Sequence, residues 1–237
     1  MVRIPRLVVA AAASSAGKTT IATGIMAALR NNCRKVAGFK VGPDFIDPGY
    51  HALATGRPGR NLDAVLTSEE LVPKLFRHGV RTPEPADVAI IEGVMGLFDG
   101  HLGRDGRGST AHIARLLDAP VLLVVDAAGS SRTAAAAALG LRHFDPRLRI
   151  AAVVVNRVAS DRHAAELAGV FGRAGLPVLG MVPRNQAIHA PSRHLGLVPA
   201  AERAESAATI DALAGHIAEH VDLAALMALA EAAPPLD

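Results

Sequence analysis

Six short runs rich in Val, Ile, Leu or Ala recur along the chain, alternating with longer segments of helical composition. The runs are Leu7 to Ala12, Lys35 to Val41, Val88 to Glu92, Pro120 to Asp126, Ile150 to Asn156 and Val178 to Val182. Apolar character that does not alternate marks strands covered on both faces, and strand–helix alternation marks βαβ units in a parallel sheet. Helices are expected at Lys18 to Arg30, Ser68 to Arg77, Ala111 to Leu117, Ser131 to Leu141, Ser160 to Arg173 and about Ser206 to Ala230. Right-handed crossovers then leave ligands at the carboxyl ends of the strands.

With 237 residues, half of them hydrophobic, the chain can bury one large α/β core but not two comfortable ones. Residues 1–231 are therefore expected to form one domain, and 232–237, which contain Pro234 and Pro235, a tail or linker. Basic and acidic residues, 25 and 22, are scattered, and aromatics are 3%. That combination lacks a basic stripe with stacking rings, so nucleic acid is not an expected partner. A single cysteine, Cys33, cannot form a disulfide framework, and the ten histidines show no zinc-type Cys/His spacing. No apolar stretch reaches the ~20 residues of a membrane span and no signal-like leader is present. A cytoplasmic protein with no membrane partner is expected.

After the first strand comes AAASSAGKTT, and Gly17, Lys18 and Thr19 close a Walker A pattern that opens a helix. Backbone N–H groups at such a helix start face phosphates, with lysine on the β/γ oxygens and the threonine hydroxyl on Mg²⁺. Ser15, Ala16, Gly17, Lys18, Thr19 and Thr20 are thus the expected ATP cradle. The pattern departs from the usual one at Ala12, where glycine is common, and at Ser15, where many loops carry another. Such substitutions are tolerated only where positive φ is not required. The expected fold becomes a three-layer α/β/α P-loop NTPase with a mostly parallel sheet.

Two acidic segments fall at the same edge. FKVGPDFIDPGYH puts Lys40, Asp44 and Asp47 together at the carboxyl edge of the sheet, where the second strand ends, and two carboxylates three apart in a turn can serve one Mg²⁺ centre. VAIIE ends the third strand on Glu92, where a P-loop enzyme keeps its metal-holding acid. PVLLVVD offers Asp126 as a rival on pattern alone. Glycines 93, 96, 100, 103, 106 and 108 describe a loop that approaches or closes over ligand.

FKVGPDFIDPGYH, EGVMGLFDG, GSTAHIARLL and SRHLGLVPAAE together resemble the signatures of the cobyrinic or hydrogenobyrinic acid a,c-diamide synthases, relatives of dethiobiotin synthetase. The resemblance runs from Leu7 to Glu202 and selects Glu92 over Asp126. It implies a dethiobiotin synthetase-like domain that uses ATP and Mg²⁺ to phosphorylate the c and then the a acetate of a corrinoid tetrapyrrole, after which ammonia displaces phosphate. By matching motifs, Thr19, Asp44, Asp47 and Glu92 would hold metal. Lys40 would lie near the transferred phosphoryl group, and Asn156 and Pro183 beside the base. Phe45, Ile46, Tyr50 and His51 would face the substrate. Arg193 and His194 suit a ligand bearing many carboxylates, because arginine pairs with carboxylate bidentately. Family members continue into a glutamine amidotransferase domain whose cysteine and histidine release ammonia. Nothing here matches that domain, so a glutaminase partner or free ammonia is expected, and no glutamine-dependent activity in isolation. A homodimer is one assembly the sequence allows.

Three other readings stay open on the sequence: a diamide synthase acting on nickel sirohydrochlorin, a dethiobiotin synthetase-like ligase, and a nucleotide-switched regulatory ATPase. Against the last, position 13 is Ala, where ParA/MinD-type ATPases carry an extra lysine.

Overall fold

The computed structural model describes residues 3–185 and 204–236. In chain order the elements are β1 (Arg6–Ala11), α1 (Lys18–Asn31), β2 (Val36–Val41), α2 (Asp47–Thr55), β3 (Arg60–Leu62), α3 (Leu71–Arg81), β4 (Val88–Glu92) and α4 (Thr110–Leu116). They continue with β5 (Val121–Asp126), α5 (Arg132–Phe144), β6 (Ile150–Val158), α6 (Asp161–Arg173), β7 (Val178–Pro183), α7 (Ala204–His220) and α8 (Leu223–Glu231). The strands form one parallel sheet in the order β3-β2-β4-β1-β5-β6-β7.

Alternate residues of each apolar strand feed two cores. Val8 and Ala10 of β1 pack with α3, α4, α5 and α6, while Leu7, Val9 and Ala11 pack with α1, α2, α7 and α8. These are the three layers, and burial on both faces explains why the strands carry no period-2 signal. Phe39 on β2 and Phe76 on α3 meet at 5.1 Å between ring centroids on the first side.

Six of the seven strands lie within two residues of expectation. The two elements missed entirely have physical reasons. β3 is three residues long with only Leu62 buried, too short for a pattern. α2 begins with Asp47, Pro48 and Gly49, a sequence that reads as a turn, yet proline in the first helical turn is pre-set for helix and lacks only an N–H that would have no intrahelical partner. The helix expected at about Ser206 to Ala230 is two helices. Val221 forms an antiparallel bridge to Gly180, and Asp222 accepts from Ala225 N to start α8 afresh.

The segment after α8 is packed rather than trailing. Ala233 and Leu236 are buried, and the fully buried Arg6 donates to the carbonyls of Ile4, Leu117, Asp118 and Pro234 at 2.9, 2.6, 3.2 and 2.8 Å. One guanidinium thus serves β1, the end of α4 and the last described turn.

Near the same end of α4, Asp145 accepts from Arg147 and from Arg115 of its last turn, the latter at 2.6 Å. The Arg147 hydrogen bond leads in holding this carboxyl down to about 2 from an ordinary 3.8. A depressed folded value stabilises above the unfolded one, so the contribution is complete above about pH 4 and drains away as pH falls toward 2. Asp145→Asn is expected to lower the urea midpoint at pH 6, with the gap to the parent narrowing as pH drops through that window. A gap independent of pH would show that the charge is not what the arginines hold.

Candidate functional site

The strand register builds the centre of the site. Lys40 of β2 pairs with Glu92 of β4, and Val9 of β1 pairs with Glu92 on the other side. Paired residues of neighbouring parallel strands present their side chains to the same face, so Lys40 and Glu92 meet below the loop that leaves β1. Lys40 Nζ lies 2.9 Å from Glu92 Oε1 and 2.5 Å from Asp47 Oδ2, and all three side chains are almost completely buried. Thr19 Oγ1 donates to the same Glu92 Oε1 at 2.5 Å.

α2 supplies the other wall. Asp47 and His51 are one helical turn apart and face the same way. His51 is fully buried with Nε2 2.7 Å from Glu92 Oε2. Its Nδ1 is buried without a hydrogen-bond partner, so Nε2 is the nitrogen committed to the carboxylate. The approach depends on Gly38 of β2. A methyl there would stand 2.9 Å from His51 Cβ and 3.1 Å from Met26 Sδ. Gly38→Ala is therefore expected to push α2 off the sheet and cost about 1–3 kcal/mol, read as a lower calorimetric melting temperature. An unchanged melting temperature would mean that α2 yields freely.

Charge is unbalanced here: one lysine faces two carboxylates. Burial works against ionised Glu92, but Lys40 and His51 outweigh it and hold that carboxyl down to about 2. Burial and the neighbouring Glu92 push Asp47 up, against the pull of Lys40. Burial opposes charge on Lys40 too, yet Glu92 and Asp47 raise it. The excess negative charge and an all-oxygen donor set, Thr19 hydroxyl with the Asp47 and Glu92 carboxylates, fit a hard divalent cation such as Mg²⁺.

The loop before α1 has the expected phosphate-cradle form. Gly17 is left-handed (φ 94°) and caps α1 with no side chain to offer a hydrogen bond, the form of helix start whose N–H groups can face an anion. A Cβ at Gly17 would also come within 2.2 Å of Asn156 Nδ2. Ser15 does occupy the left-handed region (φ 62°), so the missing glycine is replaced at some backbone strain; Ala12 has no positive φ. Lys18 Nζ donates to Ala13 O and Met95 O, tying this loop to the glycine-rich loop after β4.

Several expected residues are placed differently from the sequence reading. Asp44 does not join Lys40. Its Oδ1 accepts from Ile46 N and Asp47 N and so fixes the first turn of α2. His51 was expected to face substrate, but its full burial moves it behind Glu92. Tyr50 is likewise buried, in the core between α1 and α2. Phe45 is 86% exposed and Ile46 is half-buried at the rim. Arg193 and His194 lie outside the described residues. Asp126, the rival acid, is engaged by Arg157 Nη1 and by Ala128 N, whereas Glu92 is the acid that touches Thr19.

Asn156 and Pro183 line one crevice with Gly17 and Thr20, together with Arg157, Arg184 and His216. Asn156 also braces the phosphate loop, donating Nδ2 to Ala16 O while Oδ1 accepts from Arg157 N. Arg157 was not foreseen. It adopts φ 60° at the irregular end of β6 and bridges Asp126 and Ser15 O, a contact invisible to any linear motif.

A family profile described as "CobQ/CobB/MinD/ParA nucleotide binding domain" matches residues 7–198. The chain is 58% identical to the hydrogenobyrinate a,c-diamide synthase of Thermobifida fusca, over 98% of this chain and 49% of that one. It is 46% identical to the cobyrinate a,c-diamide synthase of Archaeoglobus fulgidus, over 99% and 50%. The chain thus spans about half the length of the relatives it matches. Among solved structures, chloroplast FtsY from Physcomitrella patens is similar in fold, with a TM-score of 0.56 at 17% identity, covering 90% of this chain and 66% of that one.

Proposed function

Since the chain belongs to the CobQ/CobB/MinD/ParA nucleotide-binding domain family, we propose that it is the ATP- and Mg²⁺-dependent half of an amidoligase, acting on the c and a acetates of hydrogenobyrinic or cobyrinic acid. The observation that carries this reading is the buried Glu92–Lys40–Asp47 cluster, joined by the half-buried Thr19, beneath a phosphate loop. A loop that only binds nucleotide has no need of a lysine held between two carboxylates.

The chemistry follows from the charges. A substrate carboxylate oxygen attacks the γ-phosphorus, the bond to the β-bridging oxygen breaks, and ADP leaves with that electron pair. Two anions must approach, so repulsion has to be offset at the transferred group. Lys18 would exchange the Ala13 and Met95 carbonyls for phosphate oxygens. Lys40, held charged by its two carboxylates, would balance charge on the equatorial oxygens. Thr19, Asp47 and Glu92 would hold Mg²⁺, which when bound supplies further charge neutralisation. His51 would keep Glu92 oriented through its second oxygen. Ammonia then adds to the acyl phosphate carbon, loses a proton and expels phosphate, leaving the amide. In this reading ammonia comes from a glutaminase domain or partner.

The test is ATP-dependent amidation of hydrogenobyrinic and cobyrinic acids with ammonium as nitrogen donor, followed by mass spectrometry. Two successive acid-to-amide conversions are expected. ATP binding without product from either acid would overturn the assignment of a self-sufficient synthetase half.

A further inference from the structure

Counting cysteine with histidine finds no zinc spacing in this chain, but a carboxylate set between two histidines changes the count. His216, Glu219 and His220 close α7, and one ligand atom from each lies within 4.8 Å of the others. Spacings of three and four residues put all three on one helical face. The two imidazole rings stand 4.6 Å apart, tilted by 55°. His220 Nδ1 is 2.8 Å from the carbonyl oxygen of His216. The same Nδ1 is 4.0 Å from Glu219 Oε2; an N–H donated to the carbonyl leaves Nε2 as the nitrogen with a lone pair for metal, the arrangement by which protein carbonyls orient metal-binding histidines.

The helix beneath is firmly seated. Ile210, Leu213, Ala214 and Ile217 are buried, and Ile217 packs on Gly24 of α1. A pair of histidines is therefore offered from a rigid support. Metal–nitrogen bonds of about 2.0–2.1 Å require ligand atoms somewhat closer than 4.8 Å. Glu219 is exposed and both rings are half-buried, so side-chain torsions alone can draw the three together.

We propose that His216, Glu219 and His220 form a binding site for a borderline divalent cation of the Zn²⁺, Co²⁺ or Ni²⁺ class, with water completing its coordination. Two imidazole nitrogens separate it from the oxygen-donor centre at Thr19 and Glu92, because Mg²⁺ prefers oxygen ligands and gives up its own waters reluctantly. The site also adjoins the nucleotide crevice. His216 is one wall of the crevice that Gly17, Thr20, Asn156 and Pro183 line, so an ion there lies within reach of whatever occupies it.

The experiment is calorimetric titration of the nucleotide-free chain with Zn²⁺ in excess Mg²⁺, with Co²⁺ visible spectra as a second readout. One equivalent is expected to bind despite the Mg²⁺, with Co²⁺ bands of low coordination number. His216→Ala and His220→Ala should each weaken binding at least about tenfold and shrink the metal-induced rise in melting temperature accordingly. Their metal-free melting temperatures should match the parent's. Absence of binding, displacement by Mg²⁺, or an undiminished equivalent in the double variant, which would place the ion elsewhere, for instance at the exposed Cys33, would each overturn the proposal. None of these readouts depends on amidation.

Discussion

Glu92→Gln is expected to slow ammonia-dependent amidation by about 100–1,000-fold, the loss typical when a group preorganised for transition-state charge is removed. The substitution keeps size and shape while changing what the group can accept. Glu92 receives Thr19 and Lys40 on one oxygen and His51 on the other. An amide can accept on its oxygen only, so at least one of these donors meets an NH₂ group. Lys40 still keeps Asp47, so the fold should survive with a modest fall in melting temperature. Rates within about threefold of the parent, with ATP saturating, would remove Glu92 from the chemistry. The parallel variant Asp126→Asn should then be examined, because an intact rate there is the other half of the expectation.

Lys40→Met should act on stability as strongly as on rate. It leaves Asp47 and Glu92 facing each other in a site from which water is excluded, and breaking a buried pair by removing one member costs about 3–5 kcal/mol. Calorimetry should show a large drop in melting temperature, partly restored by Mg²⁺ if the two carboxylates can share a cation. Protonation of Asp47, whose carboxyl burial already raises, would soften the cost. A variant that melts with the parent would mean that the lysine charge is compensated elsewhere, and the account of the cluster would fail.

Much of this site was legible because chemistry and register coincide. The run VAIIE announces a buried strand and its last residue an acid at the ligand edge, and parallel pairing brings Lys40 beside it. GKTT likewise announces a helix start that needs no cap. What stayed hidden were side-chain commitments across the fold. Asp44 and Asp47 look equivalent in sequence, yet one spends its oxygen on the turn amides and the other enters the charge cluster. Nothing local distinguishes them, because the choice follows from where α2 begins. His51 reads as a polar residue near a ligand loop, and only Gly38, thirteen positions earlier and on another element, lets it sink to the carboxylate. Arg157 depends on a bulged strand end meeting a loop 142 residues away.

Arg6 imposes an order of events on the chain's own synthesis. It stands in the first strand, yet one of its hydrogen-bond acceptors is Pro234 O, 228 residues later. As the chain emerges from the amino end, β1 can pair with β4 and β5 long before that carbonyl exists. Until then Ile4, Leu117 and Asp118 can serve the guanidinium, but one of its donors lacks its acceptor, and closing the layer over it would strand that N–H without water. That corner of the nascent domain is thus expected to keep a water on the waiting N–H until the last described turn replaces it.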